Sequence, residues 1–164
     1  MNNYKYNSKS GKDIVPIMEE IIKSGGNCKL RVTGYSMTPI LKHLRDSVVL
    51  TSPTIRKIKK GEIVFIQRDS GQYVLHREYK IIDENSFIMN GDAQQWVETV
   101  RNDQVIGVCS SIIRNNKEIS CDNYIYKCII KLWQFFMPIR HYIFKINSFL
   151  KILIMKTLNK EREY

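Results

Sequence analysis

The amino-acid sequence predicts a mainly β fold, an antiparallel coiled sheet or barrel with a short helix before it and a long, basic, amphipathic helical segment after it. Three observations carry this expectation. From Cys28 to about Cys121, short runs rich in branched and aromatic residues follow one another with no helix between them. Turn-forming clusters of Gly, Pro, Asn, Asp and Ser separate these runs. Before and after this stretch the apolar spacing becomes that of a helix. The 164 residues thus divide into a lead-in with a helix (1–27), a β domain (28–121) and a basic helical segment (122–164).

The first dozen residues are polar and read as a flexible lead-in. In DIVPIMEEIIKSGG, Ile14, Ile17, Met18, Ile21 and Ile22 recur at helical spacing. Asp13 is placed to cap this helix, and Gly25 and Gly26 to end it. The strand-like runs are CKLRV, SVVLT, EIVFIQR, QYVLHREYKII, SFIMN and QVIGVCSSIIR. SPT, KKGE, DSGQ, DENS, NGDAQ and RNNKE supply the turns, and DSGQ reads as a hairpin. About seven strands in this pattern suit an antiparallel barrel or coiled sheet. After Asp122 the chain is mostly apolar with regularly spaced cations. On a helical projection Lys127, Lys131, Gln134, His141, Lys145 and Lys156 fall in one stripe, and Pro138 kinks or divides the helix.

The chain carries 26 Lys and Arg against 16 Asp and Glu, so it attracts anionic partners. From Asn123 onward eight Lys and Arg face two Glu, which puts most of the surplus in the helical segment. There the lysines alternate with aliphatic and aromatic residues. That pattern fits peripheral membrane association through residues 124–158, and no nucleic acid partner is expected. A helix packed on its own domain, or bound to a protein partner, fits the same pattern. Cys28, Cys109, Cys121 and Cys128 form no CxxC and match no zinc spacing. Cys28 and Cys109 read as small buried hydrophobes, and no metal is expected. The N-terminus lacks the apolar run of a secretory signal, and no stretch of about 20 residues is free of charge. The expected location is therefore cytoplasmic, with association at the inner face of the membrane.

The stretch RVTGYSMTPILKHLRDSVVL carries the chemistry. Gly34 permits a sharp turn and Pro39 stiffens its exit. Such a turn can lift the Ser36 hydroxyl out of a sheet edge and leave its backbone N–H free for an oxyanion. Gly34-Tyr35-Ser36-Met37-Thr38-Pro39 resembles the nucleophile box of the superfamily that joins signal peptidases with LexA-like self-cleaving proteins. Arg45-Asp46-Ser47-Val48, Lys60-Gly61-Glu62-Ile63-Val64, Val74-Leu75-His76-Arg77, Asn90-Gly91-Asp92-Ala93-Gln94 and Ile106-Gly107 resemble its later boxes, in the same order, across roughly residues 30 to 113. Several positions depart from the pattern: the glycine before Asp46 is replaced, and Glu62 stands for aspartate.

The resemblance implies a LexA and signal-peptidase type of fold and a serine peptidase. Ser36 is the implied nucleophile and His76 the general base, in the histidine version found in archaeal and endoplasmic-reticulum signal peptidases. Histidine suits the task, since its ordinary pKa near 6.5 leaves it mostly neutral at pH 7. Asp92 is the implied acid that orients the imidazole, and Glu98 is the nearest candidate for a further acidic residue. A side-chain oxyanion donor expected two residues before the nucleophile is missing, because Gly34 stands there. Met37 packs beneath the turn or shapes a substrate subsite, and Gly34 borders the substrate. His43 competes as a base but lies on a stretch that leads away from Ser36.

The implied substrate is a peptide or precursor protein, such as a leader peptide cut near the membrane, held extended along an edge strand. No cofactor is needed. A non-cutting peptide-binding module of the same fold and a membrane signal peptidase are the competing expectations.

Overall fold

A computed structural model describes residues 11–55, 58–140, 142, 145 and 146. Eight strands form one antiparallel sheet: β1 (Cys28–Arg31), β2 (Asp46–Thr51), β3 (Ile63–Gln67), β4 (Tyr73–Ile81), β5 (Ser86–Asn90), β6 (Glu98–Arg101), β7 (Val105–Arg114) and β8 (Lys117–Ser120). Their order is β1-β2-β7-β3-β4-β5-β6, and β8 pairs with β7. The sheet curls into a half-barrel. One edge of β7 carries β2, while the other is shared by β3 along its first half and β8 along its second. The outer edges of β1 and β6 are left open among the described residues.

The expected mainly β architecture is present, with two strands the sequence did not announce. β6 and β8 are short, and most of their residues are polar. Asn115 and Asn116 both take positive φ, as a two-residue hairpin turn between β7 and β8 requires. The DSGQ hairpin is formed as expected, with Arg68 N–H donating to Gln72 O at 2.8 Å.

The run Ile63-Val64-Phe65-Ile66 is buried throughout, which places β3 between two apolar layers. Ile63 and Phe65 join Val48, Leu50, Ile106 and Ile112 in the larger core. Val64 and Ile66 turn the other way, toward Phe87, Met89, Val100 and Val108. The helix α1 (Gly11–Lys23) covers the larger core with Val15, Met18 and Ile22. This corrects two expectations. The helix begins before Asp13, which is therefore not its cap, and Ile14, Ile17 and Ile21 face outward. Residues 15, 18 and 22 lie on one ridge of the helix, whereas 14, 17 and 21 lie on the ridge beside it.

Asp46 opens β2 fully buried. It accepts hydrogen bonds from Arg45 at 2.8 Å, from Arg114 at 3.0 and 3.1 Å, and from Lys42 N–H at 2.9 Å. Arg114 also donates to Ile40 O, so it ties the loop after Ser36 to the end of β7. Arg114→Ala removes these contacts from a carboxylate that keeps Arg45. A loss of about 2 kcal/mol in chemical denaturation is expected, and an unchanged midpoint would remove Arg114 from this role.

The helical segment begins with α2 (Tyr124–Phe135), capped by the Asn123 side chain, which accepts from Ile125 N–H and Tyr126 N–H. A 3-10 turn, Met137–Ile139, holds Pro138, so the α-helix ends there as expected. Most of the remainder of the predicted basic helix, with His141, Lys151 and Lys156, lies outside the described residues. Among the described residues no helix is long and apolar enough to cross a membrane.

α2 is not an appendage. Ile130 is buried, Gln134 donates to Glu78 O at 2.9 Å, and Arg140 is 2 % exposed. Its outer face leaves Tyr124, Ile125, Ile129, Leu132 and Phe135 in solvent.

Candidate active site

β1 runs into a loop that turns sharply at Gly34, whose φ of +85° favours glycine. Gly34 N–H donates to His43 Nδ1 at 2.9 Å, and the Tyr35 and His43 rings lie 5.0 Å apart. His43 therefore braces the turn and does not face the cavity as a base. After it come Thr38 N–H bonded to Tyr35 O and Leu41 N–H bonded to Met37 O. The Thr38–Pro39 peptide is cis.

This turn leaves Ser36 half-buried on the wall of a cavity of about 400 Å³. Its carbonyl accepts from Ala93 N–H at 2.7 Å. Its own N–H donates to no protein acceptor among the described residues, as an oxyanion donor requires. Met37 is buried in the core, as expected of a residue packed beneath the turn, and also borders the cavity.

β4 brings His76 to the same cavity, 3 % exposed, paired across the sheet with Val64. Burial pushes its pKa below the usual histidine value, against the pull of the nearby Glu98 carboxylate. His76 Nδ1 lies 3.4 Å from Glu98 Oε1, and Trp96 meets the ring edge-on at 5.8 Å between centroids. No hydrogen bond joins Ser36 Oγ to His76 among the described contacts.

The two carboxylates exchange the places expected of them. Asp92, 1 % exposed, is gripped by Arg77 through both oxygens, Nε–Oδ1 at 2.9 Å and Nη2–Oδ2 at 2.7 Å. The carboxylate that faces Nδ1 is Glu98 at the start of β6, itself held by Arg68 at 2.6 and 2.8 Å. The physical reason is strand alternation. Arg77 neighbours His76 on β4, so its side chain points to the opposite face and takes Asp92 there.

Asp92 instead anchors the loop that holds Ser36. Arg77 links it to Gly61 O and the Tyr126 hydroxyl. Its carbonyl accepts from Trp133 Nε1 at 3.2 Å and Arg140 Nη1 at 3.3 Å. The next residue, Ala93, holds Ser36. A Cβ on Gly91 would come within 2.8 Å of the Ser36 carbonyl oxygen and would also meet the Gln94 side chain. Gly91→Ala is expected to push the turn aside and slow labelling of Ser36 by an active-site probe about a hundredfold, with the fold retained by circular dichroism. Unchanged labelling would show that the turn absorbs the shift.

Arg68, Trp96, Trp133 and Arg140 were not anticipated as site residues. Only Arg77 carried a signal, as the residue beside His76. No known protein family, curated protein or solved structure matches this chain.

Proposed function

We propose that this chain is a serine peptidase with a LexA and signal-peptidase type of fold. The observation that carries the reading is that Ser36 and a buried His76 with a lowered pKa line one cavity, with the Glu98 carboxylate beside the histidine. With the Glu98 carboxylate 3.4 Å from Nδ1, a proton on Nδ1 is favoured, which leaves Nε2 as the basic nitrogen. As Ser36 Oγ bonds to the peptide carbonyl carbon, Nε2 takes the hydroxyl proton. The oxyanion is met by the free Ser36 N–H. His76 then returns the proton to the leaving amine as the peptide bond breaks, and water releases the acyl group by the same route. Glu98 keeps the imidazole aligned and offsets the charge it gains.

The substrate lies extended on the open edge of β1. Val32 N–H donates to Asp46 O at 2.9 Å. By alternation Arg31 directs its backbone N–H and C=O outward, where a peptide can pair with them. The decisive measurement is covalent labelling by a fluorophosphonate followed by intact mass. The native chain should gain one adduct, and Ser36→Ala and His76→Ala should gain none. Equal labelling of all three would favour a second reading, a peptide-binding module that does not cut. The missing Ser36–His76 hydrogen bond speaks for that module.

The outer face of α2 supports peripheral membrane association, with a cytoplasmic location at the inner face. Ile125, Ile129, Leu132 and Phe135 form an exposed apolar band beside Lys127 and Lys131. The protein should co-sediment with vesicles containing phosphatidylserine and far less with neutral ones. Ile129→Asp with Leu132→Asp should weaken this at least tenfold, and undiminished binding would exclude α2 as the contact.

A further inference from the structure

The cavity beside Ser36 indicates which peptides the site accepts, an inference that rests on the peptidase reading above. Its walls come from separated parts of the chain: Leu30 in β1, Phe65 in β3, Tyr73 and Leu75 in β4, and Trp96 before β6. Val15 of α1 closes one side. These are large apolar side chains, yet about 400 Å³ stays open among them, which falls within the range of sites that enclose a sizeable ligand group. The cations at the cavity do not alter its character. Arg68 is committed to both oxygens of Glu98, and Arg31 is exposed.

The edge strand decides what enters. The side chains of Leu30 in β1 and Val32 just after it share the inward side, and both border the cavity. A peptide that pairs with this edge presents every second side chain to that same side. We propose that the site selects peptides that place a large apolar residue, of the Leu, Met or Phe kind, in this cavity next to the scissile bond. A glycine or alanine there would leave most of the space unfilled. Each missing methylene in an apolar pocket lowers kcat/KM by about tenfold or more.

The test uses two sets of acetylated, amidated decapeptides and the full-length chain. The first set is degenerate, and products of the native chain are sequenced by mass spectrometry. Cleavage should fall at a fixed distance from Leu, Met or Phe. Peptides with Ala or Gly at that position should react at least tenfold more slowly. Cleavage centred on small or charged residues would overturn the inference and leave the peptidase reading standing. The second set is a fixed sequence carrying Ala, Leu or Phe at each position in turn, added to Ser36→Ala, with Trp fluorescence reporting binding. Tighter binding of Leu and Phe peptides, with no cleavage by the native chain, would support the inference and defeat the peptidase reading. Equal binding of Ala, Leu and Phe peptides would overturn the inference.

Discussion

Alanine at Ser36 or His76 is expected to lower kcat/KM on a cleaved peptide by roughly 10⁴-fold or more, and the double variant should be little worse than either single one. The two residues act in one event, so either removal forfeits the same proton transfer. Such non-additivity separates this outcome from general damage to the fold. Glu98→Gln tests the third group. It keeps an acceptor near Nδ1 but loses the charge that stabilises the imidazolium, so kcat should fall with KM nearly unchanged. The pH profile carries a further mark. Burial holds the His76 pKa below its usual value, so activity should rise with pH through a midpoint under about 6.5. A midpoint well above 7 in the free protein would point to a different base.

Glu78→Gln is expected to raise stability at alkaline pH by about 2–3 kcal/mol. Glu78 sits fully buried in β4, accepting from Gly61 N–H through Oε2 at 2.9 Å, while Oε1 has no partner. Burial pushes its pKa up to about 7. In the unfolded chain the value returns to about 4.3. Below about 4.3 both states hold the proton and the full stability is present. As pH rises toward and through 7, the folded state must ionise a buried acid and the stability is lost. Glutamine keeps the Gly61 bond and does not titrate. The gap between variant and native chain should thus open between pH 4 and 8. A gap independent of pH would mean that Glu78 is not the titrating group. His76 acts in the opposite sense. Its lowered pKa makes the folded state lose stability as pH falls below about 6.5, so comparison with Glu78→Gln at each pH isolates the acid.

Much of the site was legible because a nucleophile turn needs particular residues. The turn at Gly34 and Pro39 could be read from backbone demands, whereas Ser36 and His76 stood out only through the resemblance of their ordered boxes to a known superfamily. The role of Asp92 was not. Whether Asp92 or Glu98 faces the imidazole depends on the path of the chain from β5 to β6, and on Arg77 taking the nearer carboxylate. Neither is a local property. The same limit hid Arg140. An arginine in a helical segment rich in cations reads as solvated, yet this one stacks on Trp133 at 4.9 Å and bonds Asn90 at 3.1 Å. β6 and β8 escaped because Glu-Thr-Val-Arg and Lys-Glu-Ile-Ser are too short and polar to show a strand period. β3 was plain because four consecutive apolar residues between turns suit a strand covered on both faces.

The hold of Trp133 and Arg140 on the carbonyl of Asp92 also sets an order of assembly. Ser36 is made early in synthesis, but the groups that secure its supporting loop come roughly a hundred residues later. A nascent chain that has not yet added α2 carries Ser36 without this brace, and β2 gains its second neighbour only once β7 is made. Contacts so distant along the chain are slow to form. The newborn chain therefore carries the loop around Ser36 unbraced until α2 docks.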